Sequence, residues 1–293
     1  LARTIGTLLD PAASAVVLPY ELVGAPGLSH PMLFGVLPPV DAVPVDPSQG
    51  AGFLGRLLAR RTARKEGTLA LARTRWILAP GEAERDAFLR AAASAAPRTV
   101  LLPAAVADPP GAPDREAARR LLHLPDDVPV AAWIAPAGFG GSEPLALAAF
   151  ERSRVFFPGA RLLIVGAAAP SQAGVQSFPA PEAEVVAAAR RAADVIIAPA
   201  PSSAMSVLSA VRAGAAPLVG RTLTFPRTPP DGSIRRPEAD DAGSLASSLA
   251  ELFADLALRR KVAEAGRSYA DGYSPERTAA IFLTLLTGNA PTS

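Results

Sequence analysis

Two histidines, His30 and His123, and no cysteine bound the chemistry open to this 293-residue chain. The lack of Cys excludes thiolate nucleophiles, thiolate metal sites and disulfides. The two histidines lie too far apart in sequence to form a local metal-binding pair, so no metal cofactor is expected. A Ser-His-Asp hydrolase would have to recruit one of them. The Ser-bearing turn Gly140-Gly141-Ser142-Glu143-Pro144 lacks the Gly-x-Ser-x-Gly elbow that such an enzyme needs. That turn opens a helix after an apolar strand, and Gly138, Gly140, Gly141 and Ser142 offer two readings. Exposed amides at a helix N-terminus can hold a phosphate; an ordinary strand-to-helix connection capped by Ser142 needs the same residues.

The rest of the chain is built to fold. It is 49% apolar and 19% charged, enough for one large domain or two ordinary ones with buried cores. Net charge is +2, and 27 of the 29 basic residues are arginine, only Lys65 and Lys261 being lysine. No basic stripe interleaved with aromatics is present, so no nucleic-acid partner is expected. No apolar run reaches the ~18–20 residues of a membrane-spanning helix, and no charged-then-apolar signal segment opens the chain.

Hydrophobic periodicity alternates short strands with amphipathic helices, the signature of parallel α/β architecture. Residues 1–9 read as the tail of a helix and 15–18 as a strand, before a Pro/Gly-rich stretch over 24–52. A helix at 53–72, a strand at 76–79, a helix at 81–92 and a strand at 99–102 follow. The segment "AAVADPPGAP" at 104–113 reads as a linker. Beyond it the pattern predicts helices at 114–122, 143–153, 181–193 and 203–213. They alternate with strands at 130–135, 161–165, 195–198 and 217–219. Two last helices, 244–264 and 275–286, close the chain.

The order of these segments resembles the family 4 glycosyltransferases of the GT-B fold. The resemblance rests on "TVLLPAAV" at 99–106 with "ARRLLHLPDD" at 118–127, "PGARLLIVG" at 158–166, "AADVIIAPAPSS" at 192–203 and "LSAVRAGAAPLVG" at 208–220. In the first part "TRWILAPGEAERDAFL" at 74–89 and "AVVLPYEL" at 15–22 continue it. It implies two Rossmann-like α/β domains facing across a cleft: an incomplete acceptor-side domain over 1–105, a nucleotide-sugar-binding domain over 106–274, and a C-terminal helix and tail over 275–293. The family's opening βα units are not found before residue 15, so a chain truncated before Leu1 is expected.

The resemblance also implies a cytoplasmic hexosyltransferase acting with retention on a nucleotide sugar and a glycan, lipid or protein acceptor. The donor would meet Gly138, Gly140, Gly141, Ser142, Phe178, Ser202, Ser203 and Ser209; the acceptor side would hold Tyr20 and Glu21, in place of the family's His-Asp. Phe178-Pro179 would lie in a loop near the nucleotide base. His123 stands where the family ends a helix with glycine, which reads as a surface C-cap. The basic amphipathic segment "FLGRLLARRTARK" at 53–65 suits either peripheral contact with the inner membrane face or packing on its own domain.

Two departures bear on the chemistry. The family places two acidic residues eight apart after the "PS" strand, yet no Asp or Glu occurs between Asp194 and Asp231. Ser203 and Ser209 fall at those places, and a serine cannot match a carboxylate that accepts two charge-assisted hydrogen bonds. The family's Arg-Lys phosphate clamp is missing too, because no Lys or Arg occurs between Arg120 and Arg152. Arg212, Arg221 and Arg227 are the cations left to reach the donor. Two function classes follow: a glycosyltransferase with weakened or lost transfer, or a non-catalytic glycosyltransferase-derived subunit that binds a partner glycosyltransferase or a glycan.

Overall fold

The computed structural model describes residues 16–19, 33–36, 75–91, 93–107, 111–135 and 141–286. It divides into two α/β units, one of 1–104 with 276–293 and the other Ala105–Pro275. Tyr20, Glu21, the basic segment 53–65, Gly138 and Gly140 lie outside the described residues.

In the first unit, strands β1 (Val16–Pro19), β2 (Leu33–Val36), β3 (Trp76–Ala79) and β4 (Thr99–Leu101) form a parallel sheet in sequence order. Helix α1 (Glu82–Ala91) and a 3-10 turn (Ala93–Arg98) connect the last two strands. β2 falls inside the stretch expected to be Pro/Gly-rich loop. Its four residues Leu-Phe-Gly-Val are too few for periodicity to mark, and pairing with both neighbours supplies the missing specification. Trp76 and Leu78 pack on Leu285 of the C-terminal helix, and the Trp76 indole donates to the Leu285 carbonyl at 3.2 Å.

The second unit is the more regular. Helix α2 (Arg115–Leu121) precedes β5 (Val130–Ile134), α3 (Glu143–Arg154), β6 (Arg161–Val165) and β7 (Val175–Phe178). Then come α4 (Ala183–Ala192), β8 (Val195–Ala198), α5 (Ala204–Arg212) and β9 (Ala216–Val219). Helices α6 (Ala242–Ala254), α7 (Leu256–Asp271) and α8 (Pro275–Leu286) finish the order, α8 lying mainly in the first unit. All five strands are parallel, in the order β7-β6-β5-β8-β9.

Alternating side chains divide between two cores, as the two-residue period of a strand requires. Val130, Ala132 and Ile134 face α2, α4 and α5, whereas Ala131 and Trp133 face α3 and α6. Such strands, buried on both faces, read as continuous apolar runs. Burial of this apolar surface is the main favourable term holding the unit together.

The expected helix over 244–264 is two helices. Asp255 ends α6, and its carboxylate accepts the Leu258 amide at 2.8 Å to cap α7. The apolar period runs on through this break, so it hides the change of direction. Phe178, expected in a loop, is the last residue of β7 and pairs with Val165. His123 is the left-handed residue that ends α2, with φ of 52°. Its amide bonds Arg120 O and the Leu124 amide bonds Arg119 O, a Schellman closure.

Candidate donor-side site

A sheet of this order reverses direction between β5 and β8, and ligands of doubly wound folds bind where the strand order reverses, beyond the carboxyl ends of the strands. Of the expected site residues, Ser202 and Ser203 stand here, because Ile134 and Ala198 end those two strands and α5 starts just beyond. Ile134, Ile196, Ile197, Ala198, Ser202, Ser203, Ser206 and Val207 line a crevice at this point. Its volume is about 10 Å³, about the room of one water. None of the eight lining residues carries a titratable side chain.

Ser202, Ser203 and Ser209 are committed to the backbone. Ser202 Oγ donates to the Pro199 carbonyl at 2.5 Å. Ser203 is the N-cap of α5, its Oγ accepting the Ser206 amide at 3.4 Å. Ser209 Oγ bonds back to the Met205 carbonyl at 2.9 Å, in the turn-over-turn manner of helical serines. Ser202, Ser203 and Ser206 therefore stand together at the crevice, while Ser209 does not line it.

The turn after β5 differs from the sequence reading. Ser142 is buried, makes no side-chain cap, and its Oγ instead accepts the Trp133 indole N–H at 3.0 Å. A buried indole needs a partner, and this one is nine residues back in the sequence. The Gly141 amide donates to Glu143 Oε2 at 2.8 Å, so a carboxylate already occupies an amide that would face an anion. Pro144 removes one further donor from the first turn of α3. Gly141 has a φ of 103° and open space where a Cβ would stand, so its conformation rather than crowding calls for glycine.

Phe178 packs partly buried against the core shared by α2, α4 and α5, as an anchor for the end of β7. At the adjacent turn Gly166 has a φ of 89°, and a Cβ there would come within 2.7 Å of Ala135 Cβ. Ser177 Oγ closes the same turn, donating to Ala167 O and accepting the Ala169 amide.

Of the three arginines left to serve the donor, two are engaged. Arg212 donates to the Val106 carbonyl at 2.5 Å and lies 3.9 Å from Asp271. Arg221 holds the Glu238 carbonyl at 2.9 Å. Arg227 has its backbone gripped by two tyrosines, its carbonyl accepting from Tyr269 Oη and its amide donating to Tyr273 Oη at 3.1 Å. Its guanidinium has no hydrogen-bond partner among the described residues. The described residues hold no cluster of His, Asp or Glu able to bind a metal, and no described helix is long and apolar enough to cross a membrane.

Sequence reasoning missed the strongest electrostatic feature of the unit. Asp194 accepts from Arg115 at 2.6 Å, from Arg119 at 2.9 Å and from the Val130 amide at 2.8 Å. Arg119 is almost fully buried and also donates to the carbonyls of Pro125, Asp126 and Val128. Burial, and then the neighbouring Arg115, push the Arg119 guanidinium below its ordinary value, and Asp194 opposes that shift. The cluster sits at the start of β5 and β8, the end of the sheet away from the crevice. No local pattern announces it, since its partners are about 75 residues apart in the chain.

With this geometry in view, the likeness to solved structures is clear. Sucrose-phosphate synthase from Thermosynechococcus elongatus matches with a TM-score of 0.62, over 98% of this chain and 75% of that one, at 18% identity. WaaG, a glycosyltransferase involved in lipopolysaccharide biosynthesis, matches with 0.60 over 96% and 80%, at 20% identity. The chain has the GT-B glycosyltransferase fold. The α,α-trehalose 6-phosphate synthase from Burkholderia multivorans matches the same GT-B chain with a TM-score of 0.61, over 98% and 74%, at 13% identity. A UDP-N-acetylglucosamine 2-epimerase also matches, with 0.52 over 82% and 66%, at 15% identity. The fold therefore serves more than one reaction, and the site has to argue the chemistry. No protein-family model matches the chain, and no curated protein matches it.

Proposed function

We propose that this chain is a glycosyltransferase-like protein whose sugar transfer is severely weakened or lost. The observation that carries the reading is the neutral crevice at the reversal of strand order, which has neither a carboxylate nor a cation on its walls. Transfer from a nucleotide sugar develops charge on a diphosphate leaving group, and stabilising that charge is where catalysis gains most. Here the nearest turn carries the Glu143 carboxylate on the Gly141 amide. That arrangement repels a diphosphate, and a helix terminus alone supplies only roughly half a unit charge against it. Ser203 and Ser209, at the places of the family's acidic pair, are tied to α5.

In this reading the protein acts as a non-catalytic subunit, binding a partner glycosyltransferase or a glycan, rather than as an independent enzyme. A second reading keeps a slow transferase that acts with retention in the cytoplasm. It is favoured by Arg227, whose guanidinium has no partner among the described residues and whose backbone is held in place. In that case Gly138, Gly140 and Gly141 would supply amides to the donor, and Tyr20 and Glu21 would face the acceptor. Both readings are tested by incubating the intact chain with UDP-, GDP- and ADP-sugars and measuring release of nucleoside diphosphate. No release above the protein-free rate supports the first. Steady release that is lost in Arg227→Gln supports the second.

A further inference from the structure

A groove of about 820 Å³ lies away from the crevice, where α6 meets the edge of the sheet beside β9. Helix α5, which bounds the crevice, packs on the opposite face of the same sheet. The groove's wall is an extended segment alongside β9, held by Arg235 N to Pro217 O and Val219 N to Arg235 O, each at 2.9 Å. Three guanidiniums and three carboxylates line it: Arg221, Arg235, Arg236, Glu238, Asp241 and Glu251.

The three guanidiniums are held before any ligand arrives. Arg236 donates to the carbonyls of Gly220 at 2.6 Å, Arg221 at 2.8 Å and Leu223 at 2.9 Å. Arg221 holds Glu238 O at 2.9 Å. Carbonyls orient a guanidinium without cancelling its charge, so Arg221 and Arg236 remain full cations at the rim. Arg235 pairs with Glu251, yet its Nε is buried with no hydrogen-bond partner among the described residues. The carboxylate of Asp241, also on the lining, is taken up by the amides of Gly243 and Ser244 at 2.7 and 2.9 Å. Ser248 is 7% exposed and lines the groove.

We propose that this groove binds the phosphate monoester of a sugar. Planar guanidiniums on rigid backbone braces suit an oxyanion with several acceptor oxygens. Carboxylates and a serine hydroxyl beside them suit a ligand that also brings hydroxyl donors. Glu251 is already paired with Arg235, but an inorganic anion would leave Glu238 facing it without a donor, and an uncharged sugar would leave the Arg221 charge without a counter-charge. The volume falls in the range of small-ligand sites.

The test is calorimetric titration of the intact chain with glucose 6-phosphate, glucose, inorganic phosphate and glucuronate. Saturable binding of glucose 6-phosphate is expected, tighter than any of the other three. The Arg221→Gln/Arg235→Gln pair weakens it at least about tenfold, the size of a lost charge-assisted hydrogen bond. Ser247→Trp, an exposed change on α6 that fills the groove and spares every arginine, abolishes it. Phosphate binding as tightly as the sugar phosphate, or glucuronate binding more tightly, overturns the proposal. So does unchanged binding in both variants, or no saturable heat in the millimolar range. None of these outcomes depends on whether the chain transfers sugar, because the readout is binding at the opposite face.

Discussion

Glu143 Oε2 accepts the Gly141 amide hydrogen at 2.8 Å, so the turn after β5 carries its own anion. A nucleoside diphosphate approaching this turn meets an occupied donor and a like charge. Glu143→Gln removes the charge and keeps the side-chain oxygen. Calorimetric titration with UDP, GDP and ADP should show saturable heat for at least one of them with the variant where the wild type shows none, since removing the charge relieves the repulsion. Unchanged or weaker binding would mean that Glu143 does not oppose the ligand.

The Trp133–Ser142 bond assigns Ser142 to the core rather than to the donor. Ser142→Ala leaves the buried indole N–H without its partner and should cost about 1–2 kcal/mol of unfolding free energy in urea. Trp133→Phe with Ser142→Ala should show coupling, because both changes remove the same bond. Ser142→Ala made in the Glu143→Gln background should leave that variant's nucleotide binding unchanged. A loss of binding at unchanged stability would return Ser142 to the site.

Much of the second unit is legible in its sequence. The strands over 161–165 and 195–198 stand as apolar runs between Pro, Gly and charged residues, and the structure places them at the same residues. Ser203 and Asp114 occupy N-cap positions, where a short polar side chain satisfies a free amide. What escapes local reading is tertiary. Ser142 looks like a cap from its neighbours alone, and only the indole across the turn draws its hydroxyl inward. The α6–α7 break escapes because Asp255 sits inside an uninterrupted apolar period. The missing acids between Asp194 and Asp231 were readable from composition. That the remaining serines bond to the backbone was not.

Asp194 and Arg119 pin the start of β5 to the start of β8 and to the loop after α2. Asp194→Ala leaves a nearly buried guanidinium without its counter-charge. Breaking one side of such a pair costs about 3–5 kcal/mol. Urea unfolding should show a loss on this scale, and a loss under about 1 kcal/mol would mean the cluster is only decorative.

Hydrogen bonding from the Ser244 amide holds the exposed Asp241 carboxyl below its ordinary value of 3.8. A carboxyl depressed in the folded state adds stability above its unfolded value, and that contribution fades as pH falls through the folded value. The melting temperature of the wild type should therefore exceed that of Asp241→Ala at neutral pH. The difference should shrink once the pH drops below about 3.8. A difference that stays constant down to acid pH would show that the carboxylate charge contributes nothing to the cap.

The proposed loss of transfer rests on a donor side without the charges that a nucleotide sugar needs. The most direct measurement is the melting temperature of the intact chain in about 1 mM UDP, GDP or ADP and their common sugar conjugates. A ligand at a hundred times its Kd adds about 2.7 kcal/mol, which raises the melting temperature by about 5 °C or more for a protein of this size. Flat curves are expected across the whole panel. A rise of that size with any single nucleotide would show a working donor pocket and contradict the proposed loss.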